Sequence, residues 1–303
     1  MTQSLYTKRD FNIRRTWILL SLFFVMVIGI GWVFSLAYET PVVLYVAVAI
    51  AVFMNVLSYW YSDKLVLKMA KAVPIEKRDN PELYRIVENL SITAGLPMPK
   101  VYLIRESAPN AFATGRDPKH AVIAVTEGLL NKLDRSELEG VLAHELSHIG
   151  NRDILLATVV VVLVGFVSIL SDMFMRSMMW GSFGGRDNND NKAGGVIIII
   201  ALVLSVLAPI AVYLMQLAIS RKREFLADAS GALLTRYPEG LIRALEKIST
   251  DSSEMRVANS STAHLWISSP FKKGGKHTPW YSKILMTHPP VEDRIKSLRG
   301  MRV

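Results

Sequence analysis

His144, Glu145 and His148 have the types and spacing to hold a metal ion and to work on the water it binds. They stand in the segment His144-Glu145-Leu146-Ser147-His148. On an α-helix, residues four apart lie roughly 40° from one another around the axis and about 6 Å along it. Both imidazoles can then meet one ion at about 2.0–2.1 Å. Glu145 projects from a neighbouring face, where it can take the proton of the bound water. That chemistry is hydrolysis, and H-E-x-x-H on a helix is the spacing of zinc peptidases.

A catalytic zinc keeps one coordination position open and takes three protein ligands. The other histidines are His120, His264, His277 and His288; polar surface or packing roles account best for the first three. Glu224 is the better third ligand. It lies in Ser220-Arg221-Lys222-Arg223-Glu224-Phe225-Leu226-Ala227-Asp228, directly after a long apolar stretch. The histidine motif directly precedes another such stretch, so closing the two as a hairpin brings Glu224 back to His144 and His148. Asp228, one turn further on, is placed to accept the second ring N–H of a ligating imidazole. Taken alone, Glu224 and Asp228 read better as solvated charges paired with neighbouring Arg and Lys; beside the histidine motif the ligand reading is favoured.

The elements that must position these residues are set first by composition. Hydrophobic residues make up 51% of the chain, charged residues only 20%, and the mean hydropathy is +0.29. Four apolar stretches approach the roughly 20 residues needed to cross a bilayer: Thr16–Tyr38, Pro41–Tyr61, Ile154–Ser171 and Gly195–Ser220. They carry no polar stripe of the kind a core helix shows. The first reads as a retained signal anchor, since its apolar part is too long for a cleaved signal and a second span follows at once. The net charge of +9 follows the spans: Lys8, Arg9, Arg14 and Arg15 precede the first, Lys64, Lys68 and Lys71 follow the second, and Arg221, Lys222 and Arg223 follow the fourth. This positive-inside bias puts the termini and the motifs in the cytoplasm. It also explains the basicity without nucleic acid, for which no motif is present. Cysteine is absent, which excludes disulfides and thiolate metal sites.

The chain divides into an N-terminal membrane hairpin (1–62, with spans 16–38 and 41–61), a cytoplasmic segment with the histidine motif (63–153), a second membrane hairpin (154–220) and a cytoplasmic segment with the third ligand (221–303). Within the second part, Asn80-Pro81 opens a helix that Gly95 and Pro97 end. Val101–Ile104 is a short strand. Ala111–Thr114 and Ala121–Thr126 flank Gly115-Arg116-Asp117-Pro118-Lys119 as a β-hairpin. Asp134 with Glu137 forms a capping box at the start of the motif helix.

The H-E-x-x-H motif, a membrane hairpin and Ser220-Arg221-x-Arg223-Glu224-x-x-Ala227-Asp228 together resemble the HtpX heat-shock membrane metalloproteases, relatives of the CAAX prenyl endopeptidases. Pro109-Asn110-Ala111-Phe112-Ala113-Thr114-Gly115 and Thr287-His288-Pro289-Pro290, followed by Arg294-Ile295, also match, so the resemblance covers nearly the whole chain. It implies a mainly α, multi-span membrane protein with a gluzincin-like zinc metalloprotease domain carrying a small β-sheet. It implies one Zn2+ per chain on His144, His148 and Glu224, with Glu145 as general base and acid. It also implies that Asn110, Ala111, Phe112 and Ala113 form the edge on which an extended substrate pairs, a standard peptide-binding mode. His288 then either stabilises the oxyanion or is a structural turn residue, and Arg294 either orients His288 or caps a helix. The implied activity is hydrolysis of peptide bonds in misfolded or damaged membrane proteins, at the bacterial inner membrane. A CAAX-type prenyl endopeptidase and a non-catalytic zinc-binding membrane chaperone are the alternatives.

Overall fold

A computed structural model describes residues 5–37, 40–181, 221–253, 255–257, 261–270 and 289–301. Two long helices open the chain, α1 (Leu5–Ala37) and α2 (Val42–Met69). Each is long and apolar enough to cross a membrane, over Ile13–Trp32 and Val42–Met69. They approach closely at a small residue: a Cβ on Gly31 would lie 2.2 Å from the Ala47 Cβ. Such contacts suit membrane helices, which associate by packing because lipid offers no hydrophobic drive. Their outer faces leave Trp17, Val25, Tyr45 and Phe53 more than half exposed, an arrangement stable against lipid but costly against water.

The last two turns of α2 carry the chain to a small sheet, where Val66, Leu67 and Ala70 pack with Ile104, Phe112, Ala124 and Trp266. The sheet contains β1 (Val73–Pro74), β2 (Lys100–Ile104), β3 (Ala111–Thr114) and β4 (Val122–Thr126) in the order β1-β2-β4-β3. β2 and β4 are parallel, whereas β3 and β4 form the antiparallel hairpin the sequence predicts, with Ala111 opposite Val125 and Thr114 opposite Val122. Its turn requires Gly115, whose φ is 135° and where a Cβ would lie 2.5 Å from the His120 carbonyl oxygen. Between β1 and β2 runs α3 (Pro81–Ala94), capped by the Asn80 side chain at one end and by left-handed Gly95 at the other.

After the short α4 (Glu127–Lys132), helix α5 (Arg135–Gly150) carries the histidine motif. Asp134 and Glu137 form the reciprocal capping box that their spacing predicts. Asn151 caps the C-terminus and Arg152 adopts a left-handed φ of 59°. The chain then turns by 84° into α6 (Asp153–Gly181). This turn separates the motif helix from the apolar one, which buries Leu156, Val159, Val160 and Leu163 among α1 and α2 side chains. The fourth predicted span, Gly195–Ser220, lies outside the described residues.

Helices α7 (Arg221–Thr235), α8 (Pro238–Ser249) and α9 (Val291–Arg299) complete the described chain. α7 and α8 pack on α5, so the motif helix is enclosed by residues from both sides of the 154–220 segment. Leu138, Val141, Leu142 and Leu146 of α5 join Leu241, Ile242 and Leu245 of α8 and the strand residues Val101 and Ile123 in one core. The α5–α7 crossing depends on Gly231, where a Cβ would lie 2.9 Å from the His144 backbone nitrogen. Gly231→Ala should force the two helices apart, at a cost of about 1–3 kcal/mol. A lower melting temperature together with reduced zinc content per chain would report that displacement.

Candidate metal centre

His144 and His148 come from successive turns of α5, and Glu224 from the first turn of α7. One ligand atom from each lies within 4.8 Å of the others. His144 Nε2 is 3.8 Å and His148 Nε2 is 3.6 Å from the Glu224 carboxylate, and the two Nε2 atoms are 3.2 Å apart. The opposite ring nitrogens are both engaged by carboxylates. His144 Nδ1 lies 2.9 Å from Asp228 Oδ1, and His148 Nδ1 lies 3.1 Å from Asp153 Oδ2. These carboxylates hold each Nδ1–H, which leaves both Nε2 lone pairs directed at a common point. Two lone pairs at that separation repel unless a proton or a metal cation lies between them. A pair of imidazoles with one carboxylate is a donor set of catalytic zinc sites, so these residues fit that ion.

The surrounding charges favour the same occupant. Burial would lower the His148 basicity, but its bond to Asp153 and the nearby Glu224 charge raise it to about 9. His144 moves the other way: its burial outweighs the Asp228 bond and keeps the ring neutral. Burial also pushes Glu145 up to about 7, with Glu224 adding to the shift, while the Ala113 backbone N–H donates to its carboxylate. Burial alone would raise Asp228 as well. There the Arg294 guanidinium wins and holds the carboxyl at about 2. Arg294 is itself buried and reaches Asp228 with Nε at 2.8 Å and Nη2 at 2.6 Å, while Nη1 donates to the Ile267 carbonyl at 3.0 Å.

The sequence missed two parts of this arrangement. Asp153 sits at the first turn of α6, where an acidic residue favours the helix dipole; the same carboxylate orients His148. The Arg294 guanidinium fixes Asp228, which fixes His144. His288 lies outside the described residues, as does His277. His120 is a turn residue bonded to Asp117 and Arg116. His264 is not on the surface but lines the cleft together with Leu265, Ile267 and Ala113. Asn110 is buried and spends its side chain on the Ser268 carbonyl at 3.0 Å, and the Ala111 carbonyl accepts from the Ile267 N–H at 3.0 Å.

Apolar helices long enough to span a bilayer, joined to an H-E-x-x-H helix and a facing glutamate, define a membrane metalloendopeptidase. Residues 77–302 match peptidase family M48, and the chain belongs to that family. It is 45% identical to a "Protease HtpX homolog" of Caldanaerobacter subterraneus subsp. tengcongensis over 99% of both chains. A second "Protease HtpX homolog", of Tropheryma whipplei strain Twist, is 50% identical over 80% of each chain. The fold is similar to that of Ste24p from S. mikatae, with a TM-score of 0.50 and 22% identity, covering 94% of this chain and 66% of that one.

Metal uptake at neutral pH must displace the proton shared by the two imidazoles. Calorimetric zinc titration of the metal-free protein in buffers of different ionisation enthalpy should therefore show release of about one proton per metal. Asp153→Asn should weaken zinc binding by about 10–100-fold, the usual effect of removing a partner that orients a ligand, measured by competition with a chromophoric chelator.

Proposed function

We propose that His144, His148 and Glu224 hold one zinc ion and that Glu145 is the general base and acid of a membrane endopeptidase acting on misfolded or damaged membrane proteins. The observation that carries this reading is the convergence of both Nε2 atoms and the Glu224 carboxylate beside a buried Glu145. Bound there, zinc would supply the Lewis acid that makes water nucleophilic near neutral pH.

The chain's own residues supply the rest. Glu145, buried beside the ligands, takes a proton from the attacking water and returns it to the leaving amine as general base and then general acid. The Ala113 N–H orients its carboxylate. Asp228 and Asp153 keep the imidazoles in the tautomer that presents Nε2. Burial of His144, Glu145 and Asp228 excludes competing water and strengthens each of these interactions.

The siting supports the substrate class. Arg116, at the tip of the hairpin that follows β3, packs over the Trp60 ring of α2 at 4.7 Å. Trp17 stacks on Tyr59 in the same helix pair. Aromatic side chains of this kind gather where a membrane helix meets the headgroups. The cleft then stands just outside the bilayer, within reach of segments leaving it. Arg14, Arg15, Lys64 and Lys68 sit at the ends of α1 and α2 nearest the metal centre, which argues for the cytoplasmic face of a bacterial inner membrane.

Glu145→Gln preserves size and should retain zinc while lowering turnover by about 10²–10⁴-fold. Cleavage of casein by detergent-purified, zinc-loaded protein measures this. Comparable cleavage by wild type and variant would refute the role given to Glu145.

A further inference from the structure

β3 is the edge strand of the sheet and the Ala113 N–H meets Glu145. The Asn110 carbonyl accepts from the Thr126 N–H, so residues 110, 112 and 114 bond inward to β4. Ala111 and Ala113 turn their N–H and C=O groups outward. Among the described residues only the Ala113 carbonyl is left for a substrate strand, because the Ala113 N–H is given to Glu145 and the Ala111 N–H to the Asn110 side-chain oxygen, at 3.1 Å. Ala113 lines the cleft with His144, Glu145 and His148. At Ala111 the Ile267 N–H already occupies the carbonyl, at 3.0 Å. The chain's own backbone thus fills the place of a substrate residue two positions, or about 7 Å, along the edge.

The segment that fills it is held from several directions. Trp266 is 1% exposed and packs edge-on against Phe112, with ring centroids 4.8 Å apart. Ile267 is buried in the main core. The Ile267 carbonyl accepts from Arg294, and the Ser268 carbonyl and N–H both bond the Asn110 side chain. Just upstream, the Glu106 carboxylate accepts from the backbone N–H groups of Arg256 and Val257. Lifting the segment would expose two apolar side chains and strip buried donors of Arg294 and Asn110 of their acceptors, the costly way to break a hydrogen bond.

We propose that residues 264–268 are a fixed end wall of the substrate groove. A bound peptide pairs with β3 through the Ala113 carbonyl alone. Its next residue towards the Ala111 end leaves the strand and places its side chain in the recess formed by Leu265, Ile267, Ile154 and Ala157. Those four side chains give the recess an apolar side, bordered by His264 of the wall, so it selects small or aliphatic side chains on one side of the scissile bond. Asn110 and Ala111, which the sequence suggests as substrate contacts, instead build the wall. Leu265 and Ile267 become the specificity-determining residues. The inference rests on the peptidase reading given above.

The test uses zinc-loaded full-length protein in detergent and a synthetic peptide pool varied at each position around the cleaved bond, with products mapped by mass spectrometry. The wild type should restrict one flanking position to small or aliphatic residues. Leu265→Ala/Ile267→Ala should shift the kcat/KM ratio at that position towards Phe by about tenfold or more, the scale on which an apolar pocket discriminates by size. Zinc content per chain shows whether the variant is folded, and Leu265→Ala alone serves if the double variant is not. Cleavage with no flanking preference, or with the same preference in the variants, overturns the wall while leaving the peptidase reading in place. Absence of cleavage by the wild type overturns the peptidase reading, and the wall with it.

Discussion

Two imidazole nitrogens held 3.2 Å apart with a carboxylate beside them repel in any state that lacks a cation at their centre. The fold exists to impose that arrangement, and each imidazole is braced from behind. His144 rests on Asp228, and Asp228 on Arg294. His148 rests on Asp153. Buried charges of this kind cost desolvation, and they persist only with well-aligned partners. Asp228 and Arg294, both about 1% exposed, meet that condition through two short parallel hydrogen bonds of the bidentate type.

The scaffold's other features serve the same convergence. α7 can bring Glu224 to α5 because Gly231 removes the side chain that would hold the helices apart. The 84° turn after Asn151 lets one stretch of chain supply both a motif helix packed in the soluble core and an apolar helix packed among α1 and α2. Asp153 sits at that corner, so the residue that starts the apolar helix also orients a ligand. Through Trp266 and Phe112 the sheet rests on the end of α2, which ties the position of the cleft to the membrane helices.

Much of this was legible in the sequence because it depends on local pattern. The motif spacing, the Asn80-Pro81 start, the capping box at Asp134 and Glu137, the glycine turn of the β3–β4 hairpin and the two N-terminal apolar helices are all encoded within a few residues of where they act. Glu224 was legible through the logic of a hairpin, which replaces sequence distance with closure. The parts that escaped are long-range. Nothing near Arg294 announces that its guanidinium is 66 residues away from its partner Asp228 in sequence. Nothing in the aperiodic stretch around Trp266 announces that it lies along a strand edge. The resemblance implies Asn110 among the substrate contacts; that its side chain bonds the Ser268 backbone is something only the tertiary structure reveals.

His144, His148 and Glu224 should act as a single zinc site. Metal analysis of purified wild type and of Glu224→Gln, each dialysed against trace zinc, tests it most directly. The wild type should hold about one zinc per chain and the variant nearly none, since removing one of three ligands leaves an incomplete site. Equal zinc in both proteins, or none in the wild type, would contradict it.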